Sequence, residues 1–407
     1  MSFTNPLPSG ATGTNPSYTS VSGSRGTSSV GASAAIREVQ DSMITFQPYQ
    51  NPILVKLLTS KFGKKATGNQ KFEWIYSSLL PRTDTVTLAG GAASEDAITV
   101  GDSTLYQVGT QFYVDTTGEV VIVDSIAGAA IDVTKVGSGS ITAAAAVNVH
   151  FLGDAFEQGS SSATAKSVNK NFEYNYVEIK KKSVQETNSQ RATVEYGPVD
   201  FDRNKLDRMS EFNLDIEATF LFGVRSSGTG VQNGAYTQFY SGGIYDSTAA
   251  FISATYAFAG SVPTEAYFYQ TFLRGAYSKG SNSKTLYAGA ALRQAISDYS
   301  KVKVQTRTGE KSYGVSIDKI MHDFGVLNVV WHPMLDGALS GKGFLIDDKP
   351  GVLQYRYLAG NGENRDLNFY DYPHFEEQDS RKGEWKGEIG IQIEGNEYHA
   401  LLQPSGA

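Results

Sequence analysis

Residues 200–225 read DFDRNKLDRMSEFNLDIEATFLFGVR, and this stretch decides the architecture. Leu206, Met209, Phe212, Ile216 and Phe220 recur every three or four positions, which gathers them on one stripe of a helix, while Asp207, Glu211, Asp215 and Glu217 fall elsewhere. Asp200 or Asp202 can accept hydrogen bonds from the free N–H groups of the first turn, and Gly223 with Ser226, Ser227 and Gly228 ends the pattern. The spacing predicts one long helix with a start, an apolar face that wants a partner surface, and a stop. A single rod bracing a large sheet system suits a flat, extended building block better than an enzyme barrel, where helices recur after every strand.

Downstream, residues 238–243 lead through a turn to an extended stretch at 249–258. Two shorter helices are expected at 264–277, started by Pro263 and Thr264, and at 283–299, with Leu286, Leu292 and Ile296 as its face. Strands return at 301–306, 313–317, 326–331 and 352–357. Near the end, Ile389, Ile391 and Ile393 share one face with Glu388, Gln392 and Glu394 opposite, and this strand belongs beside the long helix.

Upstream, an apolar piece at 51–58 precedes Lys61, Lys64, Lys65 and Lys71 and then the alternation Phe72, Trp74, Tyr76. From 84 to 150 the chain is a succession of β runs at 97–100, 111–114, 119–123, 131–136 and 147–151, each bounded by Gly, Asp or Ser. That stretch holds eight acidic residues and one basic one, Lys135, so it reads as a small acidic β-barrel or sandwich spliced into the chain. After a linker at 158–167, residues 172–182 and 191–194 are extended, with Lys180, Lys181 and Lys182 in a row. With the insertion lifted out, 172–182 faces 71–80 as a long two-stranded arm. Its lysines can meet phosphates or acids on a neighbouring copy, and an extended arm favours the neighbour.

Residues 2–35 are Ser, Thr, Gly and Asn with one charge, Arg25, and too little apolar mass to offset their ordering entropy alone. Such an arm either stays unfolded or orders along a neighbour. The whole chain carries 35 basic and 42 acidic side chains, net −7, without the basic footprint of a nucleic-acid binder. Cysteine is absent, which excludes disulfides and thiolate chemistry and fits assembly in a reducing cytosol. No run of eighteen apolar residues occurs, and Met1 leads into polar residues, so neither a membrane span nor a secretory signal is expected. Forty-two glycines beside 23 tyrosines and 21 phenylalanines mark turn-rich, aromatic-rich β structure.

Tests for chemistry give nothing. The five histidines, 150, 322, 332, 374 and 399, lack metal-ligand spacing and read as structural. The loop at 337–343 is one residue short of a phosphate loop, with Gly343 where a magnesium-holding hydroxyl belongs, and the glycines at 228, 230 and 234 miss the dinucleotide spacing. The acid pairs Asp347 with Asp348 and Glu376 with Glu377 read as solvated loops. No catalytic, cofactor-binding or metal-binding residue is assigned. An extracellular carbohydrate-acting enzyme would need aromatic platforms around paired carboxylates, and Trp74, Trp331 and Trp385 do not argue for one.

The order of segments resembles the major capsid proteins of tailed bacteriophages, the Hong Kong 97 fold, and within them the major head proteins that carry a β module in the extended loop. The features that carry the resemblance are Phe72, Glu73 and Trp74 before the insertion, Thr117, Gly118 and Glu119 before Val120, Asn175 and Tyr176 on the return, and Asp215, Ile216, Glu217 and Leu221 of the helix with Gly242 and Gly243 beyond. It implies an α+β shell subunit with an N-terminal arm at 1–50, an extended loop at 51–83 and 158–198, an inserted domain at 84–157, a peripheral domain at 199–261 and 344–407, and an axial domain at 262–343. Phe72, Trp74, Lys180, Lys181 and Lys182 would meet neighbouring subunits, and Leu206, Met209, Phe212, Ile216 and Phe220 would be the core face of the spine helix. The implied partners are further copies in hexamers and pentamers, portal, scaffolding and decoration proteins, and packaged double-stranded DNA at unspecific proximity, within a virion assembled in the host cytoplasm. No coiled-coil-rich segment precedes the arm, so scaffolding is expected from a separate protein. The competing readings are a tail or baseplate protein, which should show repeats, and an encapsulin-type shell, which lacks such an insertion.

Overall fold

The computed structural model describes residues 52–59, 63–88, 96–100, 102–137, 139–142, 144–193, 200–232, 234–246, 248, 251–303, 306–312, 315–372 and 378–405. The expected N-terminal arm, Lys61, His374 and the pair Glu376 and Glu377 lie outside these residues. Two sheets, one closed barrel and one long helix organise the rest.

The long helix runs Asp200–Phe222 and lies on a six-stranded sheet. That sheet has the order Lys64–Thr67, Leu353–Gly360, Ser380–Ile393, Glu178–Thr187, with Glu363–Asn364 and Asn368–Tyr372 as side additions. Ile389, Ile391 and Ile393 meet Phe212, Ile216 and Phe220 in one buried cluster, as the alternation requires. Ile216 sits at the centre of this contact, so Ile216→Ala is expected to cost about 2 to 5 kcal/mol through lost transfer energy and a residual cavity. Urea unfolding checks it, and an unchanged midpoint would refute the packing role.

The opposite face of the same sheet is not open to solvent. The paired strands Lys71–Tyr76 and Asn171–Tyr176 cross it at Gly390, where an added Cβ would come within 2.5 Å of the Tyr176 carbonyl oxygen. Only glycine admits another backbone this close. The crossing explains why Glu388 and Gln392, on the face opposite the isoleucines, are also buried: Glu388 pairs with Arg365, and Gln392 accepts from the Arg356 guanidinium.

The second sheet has seven strands in the order Ala254–Phe258, Ala400–Pro404, Gly343–Asp347, Ser283–Ala288, Gly325–Trp331, Val315–His322, Thr306–Ser312. The helix expected at 283–299 is therefore split. Ser283–Ala288 is a strand between two partners, buried from Lys284 onward, and the helix is Ala290–Lys303. Leu286 is six positions from Leu292, off the helical stripe that Leu292 and Ile296 share, and Gly289 between them packs too tightly for any side chain, since an added Cβ would come within 2.4 Å of the Leu335 carbonyl oxygen. The strand expected at 301–306 begins at Thr306 for the same reason: the helix continues to Lys303. Residues 191–194 are likewise not extended where described, because the Thr187 hydroxyl accepts from Gln190 N and starts the short helix Asn188–Ala192. At 264–276 the chain is helical with wide π-type turns over Tyr267–Leu273, and the Thr264 hydroxyl accepts from Tyr267 N.

Strands Thr83–Leu88, Asp96–Val100, Thr110–Val114, Val120–Ala127, Ala130–Lys135 and Ala144–Asp154 close into a barrel. Its interior is a separate apolar cluster that includes Ile98, Phe112, Val121, Ile131 and Val149. Alternation produces it directly: Phe112 and Val114 point in while Tyr113 between them is exposed.

Candidate assembly surfaces

The two-stranded ribbon is the best-defined candidate. Lys71–Tyr76 pairs antiparallel with Asn171–Tyr176, so that Phe72 lies opposite Asn175 and Ile75 opposite Phe172. Alternation divides its side chains between two faces. Phe72 and Trp74, expected to contact neighbouring subunits, are instead only 6% and 7% exposed and belong to the subunit's own core. The reason is the crossing at Gly390, which turns that face inward, where Trp74 meets Phe251 at 5.9 Å between ring centroids.

Asn175 pins the ribbon in place. Its side-chain amide donates to the carbonyls of Gly242, at 3.0 Å, and Ile391, at 2.7 Å, while its oxygen accepts from Gly242 N at 2.8 Å and from Tyr176 N. The side chain is fully buried and fully satisfied, so it fixes ribbon, sheet and the loop after the long helix relative to each other. The outward face carries Ile75, 58% exposed, and Phe172, 64% exposed, as one cross-strand pair. Tyr174 and Tyr176 continue it toward Phe239, with Lys71 Nζ 4.3 Å from the Tyr174 ring.

The lysine row also divides. Lys180 and Lys182 face the long helix: Lys180 pairs with Glu178 at 3.1 Å, and Lys182 pairs with Asp215 at 3.0 Å and Glu211 at 3.7 Å. Neither charge is left for a neighbour, because strand Glu178–Thr187 joins the six-stranded sheet under the helix rather than standing free. Lys181 points the other way, into a groove of about 440 Å³ shared with Ile179, Tyr236 and Phe239.

Along the helix, Phe212, Ile216 and Phe220 are buried, and Met209 is half-buried beside Val55, Leu214 and Leu367. Leu206 departs from the expected core face: it is 64% exposed. Its azimuth is about 100° round from Lys205, whose carbonyl accepts from the indole of Trp385 in the sheet. Among the described residues, the segment that covers this flank, Ile53–Leu57 and its flanking residues, reaches from Glu217 back to Met209 and not to Leu206.

Sequence reasoning missed Glu217, whose carboxylate is buried under that segment, and nothing in the local pattern marks it. Its Oε1 accepts from Leu54 N at 2.6 Å and faces His332 Nε2 at 2.7 Å, and Oε2 accepts from Val55 N at 2.8 Å.

His399 is equally enclosed. Its Nδ1 accepts from Asp347 N at 3.2 Å, its Nε2 donates to the Glu394 carbonyl, and burial lowers its pKa from 6.5 to about 4. Above pH 6.5 both folded and unfolded chains hold it neutral; below that, the unfolded chain takes up a proton that the folded one refuses until about pH 4. Stability is therefore expected to fall by about 3 kcal/mol across that window, and His399→Gln should flatten this part of the pH profile. Urea midpoints measured between these limits check it; an identical slope in the variant would assign the loss elsewhere.

Among the described residues no cluster of His, Asp and Glu could hold a metal ion, and no helix is long and apolar enough to cross a membrane.

A model of the SU10 major capsid protein family matches residues 12–405. The chain belongs to this family. A member is a structural capsid subunit of a phage virion and not an enzyme, and it self-assembles into the shell. The architecture is α+β, one long helix bracing a sheet with a second sheet beside it. Among solved structures, the chain is similar to the capsid of a native GTA particle at 9% identity and TM-score 0.48, covering 92% of this chain and 97% of that one. It is similar to the cyanophage Pam1 capsid subunit at 10% identity and TM-score 0.45, covering 93% and 98%. For the capsid of Myoviridae phage XM1 the values are 8% and 0.41, covering 90% and 96%. No curated protein gives a significant match. The assignment rests on the family model.

Proposed function

We propose that this chain forms the hexamers and pentamers of an icosahedral head around double-stranded DNA, and that its ribbon is the extended loop laid across a neighbouring subunit. The observation that supports this is the two-faced ribbon: one face is locked into its own core through Phe72, Trp74 and Asn175, while on the other Ile75 and Phe172 stand uncovered among the described residues. A monomeric protein gains nothing from a paired, exposed isoleucine and phenylalanine held on a rigid strand pair. Lys181 and its groove extend the same surface.

In this reading residues 1–50 are an N-terminal arm, 51–83 and 158–198 the extended loop and its flanks, and 84–157 an inserted domain. The long helix is the spine of a peripheral domain at 199–261 and 344–407, and 262–343 form the axial domain around symmetry axes. Portal, scaffolding and decoration proteins complete the set of partners, and the packaged DNA is met through unspecific proximity. Each contact is modest, and repetition through a closed lattice makes the sum large. Deletion of residues 2–35 is expected to leave a folded chain that does not close shells, and electron microscopy showing normal particles would reject the arm's role. Size-exclusion chromatography followed by electron microscopy of the purified full chain tests the whole reading: it requires closed particles of many megadaltons built from five- and six-fold units.

A further inference from the structure

Three parts of the chain that are far apart in sequence meet at one carboxylate. Glu217 projects from the long helix, Leu54 and Val55 open the short helix Ile53–Leu57, and His332 follows the strand Gly325–Trp331 of the second sheet. We propose that Glu217 is the hub of a conformational latch that ties these three parts together, so that displacement of the 52–59 segment is transmitted through the long helix to the second sheet.

The chemistry makes the connection all-or-none. The short helix begins with Pro52, which offers no capping side chain, so the free N–H groups of its first turn must be satisfied from elsewhere. Glu217 supplies both acceptors, one oxygen to Leu54 N and the other to Val55 N. The first oxygen is shared with His332 Nε2, and both charged-type side chains are only 1% exposed. Tyr287 and Phe344 pack against the His332 ring, and Leu54, Val55 and His332 are the partners the Glu217 carboxylate has among the described residues. Loss of one donor leaves a buried, under-satisfied carboxylate, which favours opening the whole cluster over a graded adjustment.

His332 itself is fixed to the sheet, with its backbone N–H on the Ala288 carbonyl at 2.9 Å and its carbonyl accepting from Leu335 N. Its Nδ1 is buried with no hydrogen-bond partner among the described residues, so Glu217 supplies the ring's one hydrogen bond there, while Tyr287 and Phe344 pack against it. A cap for the short helix requires only the two N–H groups. The third ligand, drawn from another sheet, is what converts a cap into a coupling element.

The latch lies within one subunit, so it stands or falls independently of the proposed shell contacts, and its test uses unassembled full-length protein. In His332→Ala, the amides of Leu54 and Val55, which do not touch His332, are expected to exchange hydrogen about 10- to 100-fold faster. Unchanged exchange in the folded variant overturns the proposal. The reverse direction is read in Val55→Pro, which removes one N–H in the first turn of the helix. With 5-fluorotryptophan incorporated, the ¹⁹F resonance of Trp331, next to His332, is expected to shift while that of Trp385, bonded to the Lys205 carbonyl at the other end of the long helix, stays in place. A Trp331 signal that does not respond, or a Trp385 signal that moves equally, overturns the coupling even if His332→Ala fails to fold.

Discussion

Replacing Ile75 and Phe172 together with aspartate is expected to abolish particle formation while leaving the subunit folded. Both side chains stand on the outward face of the ribbon, more than half exposed, and neither belongs to the apolar clusters formed among the described residues. Burial of two such side chains against a neighbour is worth about 3 to 6 kcal/mol per copy, and each 1.4 kcal/mol is about a factor of ten in the association constant. Aspartate removes that gain and adds a desolvation cost, so the concentration needed for assembly should rise by at least about 100-fold. Sedimentation should show subunits or small oligomers only, with circular dichroism and urea midpoint unchanged. Normal particles would remove the ribbon from the list of lattice contacts. The matching change at Trp74 would unfold the ribbon from its own subunit and so could not distinguish the two roles.

Glu217→Ala is expected to be the most damaging single substitution for the isolated chain, at about 3 to 5 kcal/mol, because it removes the shared acceptor of a buried hydrogen-bonded cluster and strands its partners. Leu54 N, Val55 N and His332 Nε2 all lose their acceptor, and the methyl group that remains fills little of the space. Glu217→Met, closer in volume and apolar, should recover part of the packing but none of the hydrogen bonds. Chemical denaturation of the two variants separates the terms: equal losses would mean that packing contributes little, and a negligible loss in both would mean that the cluster is not closed in solution.

Patterns of period two and period 3.6 carried much of this fold in plain view. The long helix and the isoleucines at 389, 391 and 393 had to meet because each presented an apolar face with no other use. The barrel strands were each bracketed by turn residues, and the ribbon followed from two extended stretches on either side of them. What the sequence could not show were faces covered from far away. Glu217 reads as a solvent-facing acid on an amphipathic helix, and only a segment more than 160 positions earlier makes it a buried one. Lys180 and Lys182 share a face by simple alternation, but their acids come from within the subunit, Glu178 on the same strand and Asp215 with Glu211 on the helix, so from sequence the row reads as a charge reserved for a partner. Leu206 fits the helical stripe perfectly well and is exposed because the covering segment stops short of it. Ser283–Ala288 reads as helix because Lys284 and Thr285 look like exposed polar positions, whereas both are buried through bonds to the distant Tyr398 carbonyl and Asp348, so no alternation marks the strand.

The barrel enters and leaves the rest of the chain through strands that pair with each other, Thr83 opposite His150, and its interior shares no residue with the other two apolar clusters. Mutations inside it can therefore accumulate, and foreign peptides can be grafted on its outlying turns, without being felt by the ribbon or the spine. In the proposed shell, each particle would then carry as many copies of a passenger as it has subunits.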